Sequence, residues 1–135
     1  MAFTQATTTQ TKYVALSYVA TGTLKIALYT SDADLSASTT AYTTTGEVVG
    51  TGYSAGGKIL TGVTVSQSGT TAYLDFDNVT WDPAAFTARG ALIYNTSLGD
   101  LAIAVLDFGS DKTTTTTFTV QMPDNSASSA IIRFT

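Results

Sequence analysis

The sequence contains no cysteine and no histidine. The first absence excludes disulfides and thiolate nucleophiles. The second removes the commonest general base, and the two together remove most zinc ligand sets. A Ser-His-Asp triad is impossible, and nothing in the spacing supports a Ser-Lys pair. Charge is scarce as well: six Lys and Arg stand against ten Asp and Glu, 12% of the chain, for a net charge of −4. The six cations are scattered singly. Nucleic-acid binding needs them clustered, to displace counterions from phosphates, so no nucleic-acid partner is expected. No apolar run reaches the ~20 residues of a membrane span, so no membrane partner is expected either. The first residues lack a basic segment followed by an apolar one, which predicts synthesis in a cytoplasm.

What is present points to strands. A length of 135 residues suits one domain, able to bury roughly two thirds of its unfolded surface. Hydrophobic residues make up 44%, and the mean hydropathy of +0.18 argues against global disorder. Threonine occurs 28 times. Its branched β-carbon favours strand over helix, and it keeps a surface polar without charge. With no covalent staple, such a domain rests on its core or on partner contacts.

Along the chain, residues 1–11 read as an extended polar arm with Phe3 as its large apolar residue, followed by a single domain over 12–135. Residues 12–20 are ambiguous: Tyr13, Leu16 and Ala20 have helical spacing, while Tyr and Val favour strand. Residues 23–30 alternate with Leu24, Ile26 and Leu28 on one face. A polar loop over 31–45 is too long for a tight turn. Glu47 to Val49 is a short strand or bridge, and 50–57 is a glycine-rich loop. Residues 58–66 alternate with Ile59, Thr61, Val63 and Val65 on one face. Strand patterns follow over 71–76, continued or bent through 78–81, and over 86–95. The apolar run 101–108 has the character of a central strand, residues 109–112 read as a turn, and strands follow over 113–122 and 130–134. About eight short strands with at most one short helix near the N-terminus predict an all-β, jelly-roll-like β-sandwich.

Several motifs invite chemistry. Gly52 to Lys58 matches the first seven places of a phosphate-binding loop. The eighth, which must be Ser or Thr to hold magnesium, is Ile59, and a strand pattern follows instead of a helix. The glycines read instead as loop residues with positive φ. Asp75, Asp77, Asn78 and Asp82 could form part of a calcium site, although Asp75 and Asp77 are expected on the solvent face as edge charges. Carboxylate pairs such as Asp32/Asp34 and Asp75/Asp77 are too loosely placed for glycoside chemistry. Trp81 reads as core filler, with a glycan platform as the alternative. No cofactor or metal and no enzymatic activity are expected. Glu47 and Arg89 stand in apolar surroundings and are expected to form a structural ion pair.

The series Leu24-Lys-Ile-Ala-Leu-Tyr-Thr-Ser31, Glu47-Val-Val-Gly-Thr-Gly-Tyr-Ser-Ala-Gly-Gly57, Ala72-Tyr-Leu-Asp-Phe-Asp-Asn-Val-Thr-Trp81, Thr87-Ala-Arg-Gly-Ala-Leu-Ile-Tyr94, Val105-Leu-Asp-Phe-Gly109 and Phe118-Thr-Val resembles a family of small phage and prophage virion structural proteins. These are similar to the capsid cement, or decoration, proteins of tailed phages. The resemblance spans about residues 24–122. Relatives often carry a charged amphipathic helix before the first clear strand, whereas residues 12–20 here are rich in Val and Tyr. The resemblance implies a non-enzymatic protein on the capsid surface of a virion, with the major capsid protein as partner and a homo-dimer or homo-trimer as its form. Expected contacts are Phe3, Thr4, Gln5 and Thr9 in the arm, Leu35 and Tyr42 in the long loop, and Tyr53 in the glycine loop. The alternatives are a tail, neck or fibre component, or a carbohydrate-binding adhesion module.

Overall fold

A computed structural model describes residues 2–135; Met1, the first residue of the expected arm, lies outside the described residues. In chain order the elements are α1 (Thr9–Val19), β1 (Leu24–Tyr29), β2 (Lys58–Ile59), β3 (Thr64–Ser68), β4 (Thr71–Asp75), β5 (Val79–Trp81), β6 (Phe86–Asn95), β7 (Leu101–Thr114), β8 (Phe118–Val120) and β9 (Ile132–Phe134). The protein is mostly β, in antiparallel sheets, with one short helix near the N-terminus, as the alternation predicts. The sheets run β2-β1-β6-β7, β3-β4-β9 and β5-β8.

The pair β1–β6 is the spine, in register from Leu24 opposite Asn95 to Tyr29 opposite Gly90. Alternation sends Leu24, Ile26, Leu28, Ala91 and Ile93 into the main core, with Leu74, Trp81 and Phe118 from the other sheets. The opposite face carries Ala27, Tyr29, Leu92 and Tyr94, and the 31–45 loop covers it with Ala33, Leu35 and Tyr42. Both faces are therefore buried over residues 26–29 and 91–94, which is why these inner stretches are unbroken apolar runs.

The ambiguous segment is helical, and the helix begins earlier than the arm was expected to end. Thr8 adopts an extended conformation (φ −72°, ψ 150°), and its hydroxyl accepts the Thr11 N–H. This is a Thr N-cap satisfying one orphan amide of the first turn. Thr9, Gln10 and Thr11 thus belong to α1, and the arm is residues 2–8. Leu16 is buried, with Tyr13, Val19 and Ala20 beside it. Helical spacing wins over the strand preference of Tyr and Val because it places these side chains on one core. The far end is tied down by the buried Asn95, whose amide donates to the Val19 and Thr21 carbonyls at 2.8 and 2.6 Å.

Four other expectations are corrected. The run 58–66 is two strands, β2 and β3, broken at Gly62 (φ +64°), and Ile59 and Val63 are exposed rather than aligned on a buried face. The apolar run 101–108 is the start of an edge strand: β6 is the one named strand that pairs with β7, and on the other edge the 31–45 loop bridges Leu101 through Ala41. Its pairing jumps from Asp107 opposite Gly90 to Lys112 opposite Ala88, so the expected turn at 109–112 is a wide bulge around Gly109 (φ +83°) inside one strand. The strand expected over 113–122 is divided: Thr113 and Thr114 end β7, the chain bends at Thr115 and Thr116, and β8 begins at Phe118.

Candidate functional site

The chain's one glutamate lies at the junction of its two long loops. Glu47 bridges Tyr29 at the end of β1 and is buried. Its Oε1 accepts the Tyr42 hydroxyl at 2.5 Å; its Oε2 accepts the Tyr53 hydroxyl and the Gly56 N–H, the latter at 2.8 Å. Two further phenols complete the cluster. Tyr29 donates to the Thr43 carbonyl at 2.6 Å, and Tyr94 donates to the Gly56 carbonyl at 2.6 Å. The Leu28 N–H in turn donates to the Tyr53 oxygen at 2.9 Å.

This geometry explains the likeness to a phosphate-binding loop. The glycine loop does hold an anion, but the anion is the protein's own carboxylate, and Gly56 supplies the backbone donor. No helix follows; Lys58 opens β2, donates to the Thr80 carbonyl at 2.5 Å and lies 5.7 Å from the centre of the Trp81 ring.

The expected Glu47–Arg89 pair does not form. Arg89 pairs with Asp107 across β6–β7, Nε to Oδ1 at 3.3 Å, in a largely exposed bridge. The physical reason is register: the β6–β7 pairing skips Arg89, placing it beside Asp107, while tyrosines surround Glu47. Asp107 is held below the usual carboxylate range, first by the Gly109 N–H and then by Arg89.

Burial pushes the cluster phenols up. Tyr29, Tyr42 and Tyr53 ionise far above an ordinary tyrosine, because they are desolvated and Glu47 lies beside them. Tyr94 is pushed up to about 12 by burial, then by Asp100 and Glu47. These groups are therefore neutral hydrogen-bond donors, not phenolate bases. The arrangement suits a clamp that fastens the loops to the sheet.

The other expected site residues separate into two groups. Leu35, Tyr42 and Tyr53 are half-buried, and the hydroxyls of the two tyrosines are committed inside the chain. Thr9 lies in the first turn of α1 and donates to the Gly69 carbonyl at 3.3 Å. Phe3, Thr4 and Gln5 are exposed, like every residue from 2 to 8. Trp81 is buried, stacked at 6.1 Å on Tyr53 and edge-on to Phe118. It offers no face to a sugar.

The acidic cluster is also dispersed. Asp75 is not on the solvent face; it is 3% exposed, with Oδ1 accepting the Phe76 N–H and Oδ2 unpartnered among the described residues. Asp77 accepts from Thr61, and Asn78 accepts the Met122 N–H. Among the described residues no group of three or more acidic side chains is placed to hold a metal.

Two features went unread in the sequence. The first is Asn95, which pattern alone places at the end of the 86–95 strand; its amide ties down the end of α1, and its Oδ1 accepts the Ser97 N–H at 2.8 Å. The second is a groove of about 440 Å³ between β7 and β8, lined by Phe108, Lys112, Thr114, Thr117, Phe118 and Val120. No sequence signal announces it, because its two walls come from strands of different sheets. Comparisons with protein-family models, curated proteins and solved structures find no match for this chain.

Proposed function

We propose that this chain is a non-enzymatic virion structural protein that decorates and cements the shell of a tailed phage, with the major capsid protein as its partner. The observation that carries the reading is the contrast between body and arm. Residues 2–8 are exposed along their whole length, carry no charge, and include Phe3 at 89% exposure. The body behind them is closed: its one glutamate and four of its tyrosines are spent on internal hydrogen bonds. A closed body with a free β-competent arm is built for assembly, since extended segments add strands or anchors to a neighbour. The sequence series resembling decoration proteins supports the same reading.

Binding only to an assembled shell stabilises that shell by mass action. Copies at capsomer junctions would then resist the pressure of a packaged genome. The test is the copy number in purified virions, by quantitative mass spectrometry against the major capsid protein. On the order of hundreds of copies, in a simple ratio to the shell subunit, is the expected result. About six to twelve copies would move the protein to a ring-shaped neck or tail part. Absence from the particle would sink the structural reading.

A further inference from the structure

We infer that Asp75, together with Asp124, Ser126 and Ser128 of the loop that crosses it, binds a calcium ion that ties the last strand to β4. The inference goes beyond the virion reading and does not depend on it.

Leu74 and Phe76 belong to the main core, so alternation turns Asp75 to the opposite face of β4. That face is closed to solvent here, since Asp75 is 3% exposed. The cover is the segment between β8 and β9. One end is held where the Met122 N–H donates to Asn78 Oδ1 at 2.7 Å, and the other where Ile132 pairs with Leu74. Asp75 lies between these two anchors, so residues 123–131 pass over it. Its Oδ1 accepts the Phe76 N–H at 2.9 Å, and its Oδ2 has no partner among the described residues. A carboxylate buried in this way is costly unless a positive charge meets it. Among the described residues no Lys or Arg does so. The exposed Arg133, across from Tyr73, gives its Nη1 to the Ser128 carbonyl at 2.9 Å.

The crossing loop carries oxygens suited to a cation. Asp124, Ser126 and Ser128 offer side-chain oxygens at alternate positions, the spacing at which calcium loops place their first three ligands. The loop is curled, with the Ser126 N–H on the Asp124 carbonyl at 2.9 Å and the Ala130 N–H on the Ser126 carbonyl at 3.0 Å. The two serine hydroxyls converge to 3.4 Å. Burial raises the Asp75 pKa, the Phe76 N–H opposes, and the charge of Asp124 adds to the rise, so the two carboxylates are within electrostatic reach of each other. Two carboxylates with neutral oxygens make a hard, oxygen-only set. A flexible loop of this kind suits calcium better than magnesium, which demands tight octahedral geometry. So few charged ligands predict a weak site, with a Kd of about 0.1–1 mM. In a chain without cysteine, the ion would act as the staple that holds Ile132–Phe134 on β4.

The test uses the purified full chain. Isothermal titration is expected to show one calcium bound per chain. The Tm should rise by about 3–6 °C between EDTA and ~10 mM calcium, and by less in the same concentration of magnesium. Asp75→Asn in EDTA is expected to be at least as stable as the wild type, because an unpaired charge is gone, but calcium should no longer raise its Tm. Asp124→Asn changes an exposed side chain and so keeps the fold; it should weaken calcium binding by at least about tenfold. Asp82→Asn, an exposed acid outside the loop, is the control and should bind as the wild type does. No binding at ~10 mM calcium, an equal response to magnesium, or undiminished binding by Asp75→Asn or Asp124→Asn would overturn the proposal. The virion copy number is measured separately, so the two readings fail separately.

Discussion

Tyr42 lies stacked on Tyr94, ring centres 4.7 Å apart and planes 21° from parallel. Tyr42 belongs to the 31–45 loop and Tyr94 to the central strand β6, so the stack fastens the loop to the outer face of the sheet. The Tyr42 hydroxyl then reaches Glu47, and Glu47 reaches the glycine loop. One chain of contacts thus holds both long loops.

Glu47 is the piece whose loss is felt most. Glu47→Ala strands two tyrosine hydroxyls and the Gly56 N–H, and unsatisfied buried donors are costly. The expected loss is about 3 kcal/mol, read as a lower urea midpoint. Glu47→Gln keeps an acceptor but not the charge, and should cost about half as much. Equal stability of Glu47→Ala and the wild type would dismiss the clamp.

The same cluster sets the alkaline limit. The folded phenols have raised pKa values, so their contribution is complete below the ordinary tyrosine value of about 10. It is lost as pH rises from there through the folded values, that of Tyr94 being about 12. Tyrosinate absorbance of the four should therefore appear together with loss of circular dichroism. Ionisation of all the tyrosines in a still-folded protein would contradict this.

Asp75 should act in the opposite direction to a paired carboxylate. Burial raises its folded pKa, with the Phe76 N–H opposing and Asp124 adding to the rise. Its favourable contribution is thus present below the unfolded value of about 3.9 and is lost as pH rises through the folded value. Asp75→Asn removes the buried charge and should stabilise by about 1 kcal/mol at neutral pH. The gain should vanish in acid. Thermal melts across pH would show this, and a gain independent of pH would refute the cause.

Gly57 has φ +78°, and a β-carbon there would stand 1.8 Å from the Ile26 carbonyl oxygen. Left-handed backbone already costs a side chain about 1–2 kcal/mol, and here rigid backbone must shift as well. Gly57→Ala should lose well over about 2 kcal/mol by denaturant unfolding. A wild-type midpoint would mean that the glycine loop does not approach β1 so closely.

Arg89→Met should leave the melting temperature unchanged within repeat scatter, because its partner Asp107 is largely exposed and such bridges are weak. A large loss would restore Arg89 to a structural role.

Much of this was legible in the residues. The alternation in Leu24–Tyr29 and the limits of β6 follow directly from pattern, since apolar side chains two apart must share a buried face. Isolation of the one glutamate among Val and Gly marked Glu47 as a special residue. The edge position of β7 was not legible: Leu101–Phe108 is apolar enough for a centre strand. Its neighbour is decided by which sheet the rest of the chain completes. The free groove beside it was hidden for the same reason.

Composition and short-range periodicity act on each segment alone, and they suffice to specify a cysteine-free, threonine-rich, mostly β chain with an uncharged arm. That Glu47 is held by tyrosines and not by Arg89, and that Asp75 is buried, emerges once the sheets are assembled. The reason is strand register: side chains alternate faces with a period of two, so a single bulge or skipped residue changes which partner a charge can reach.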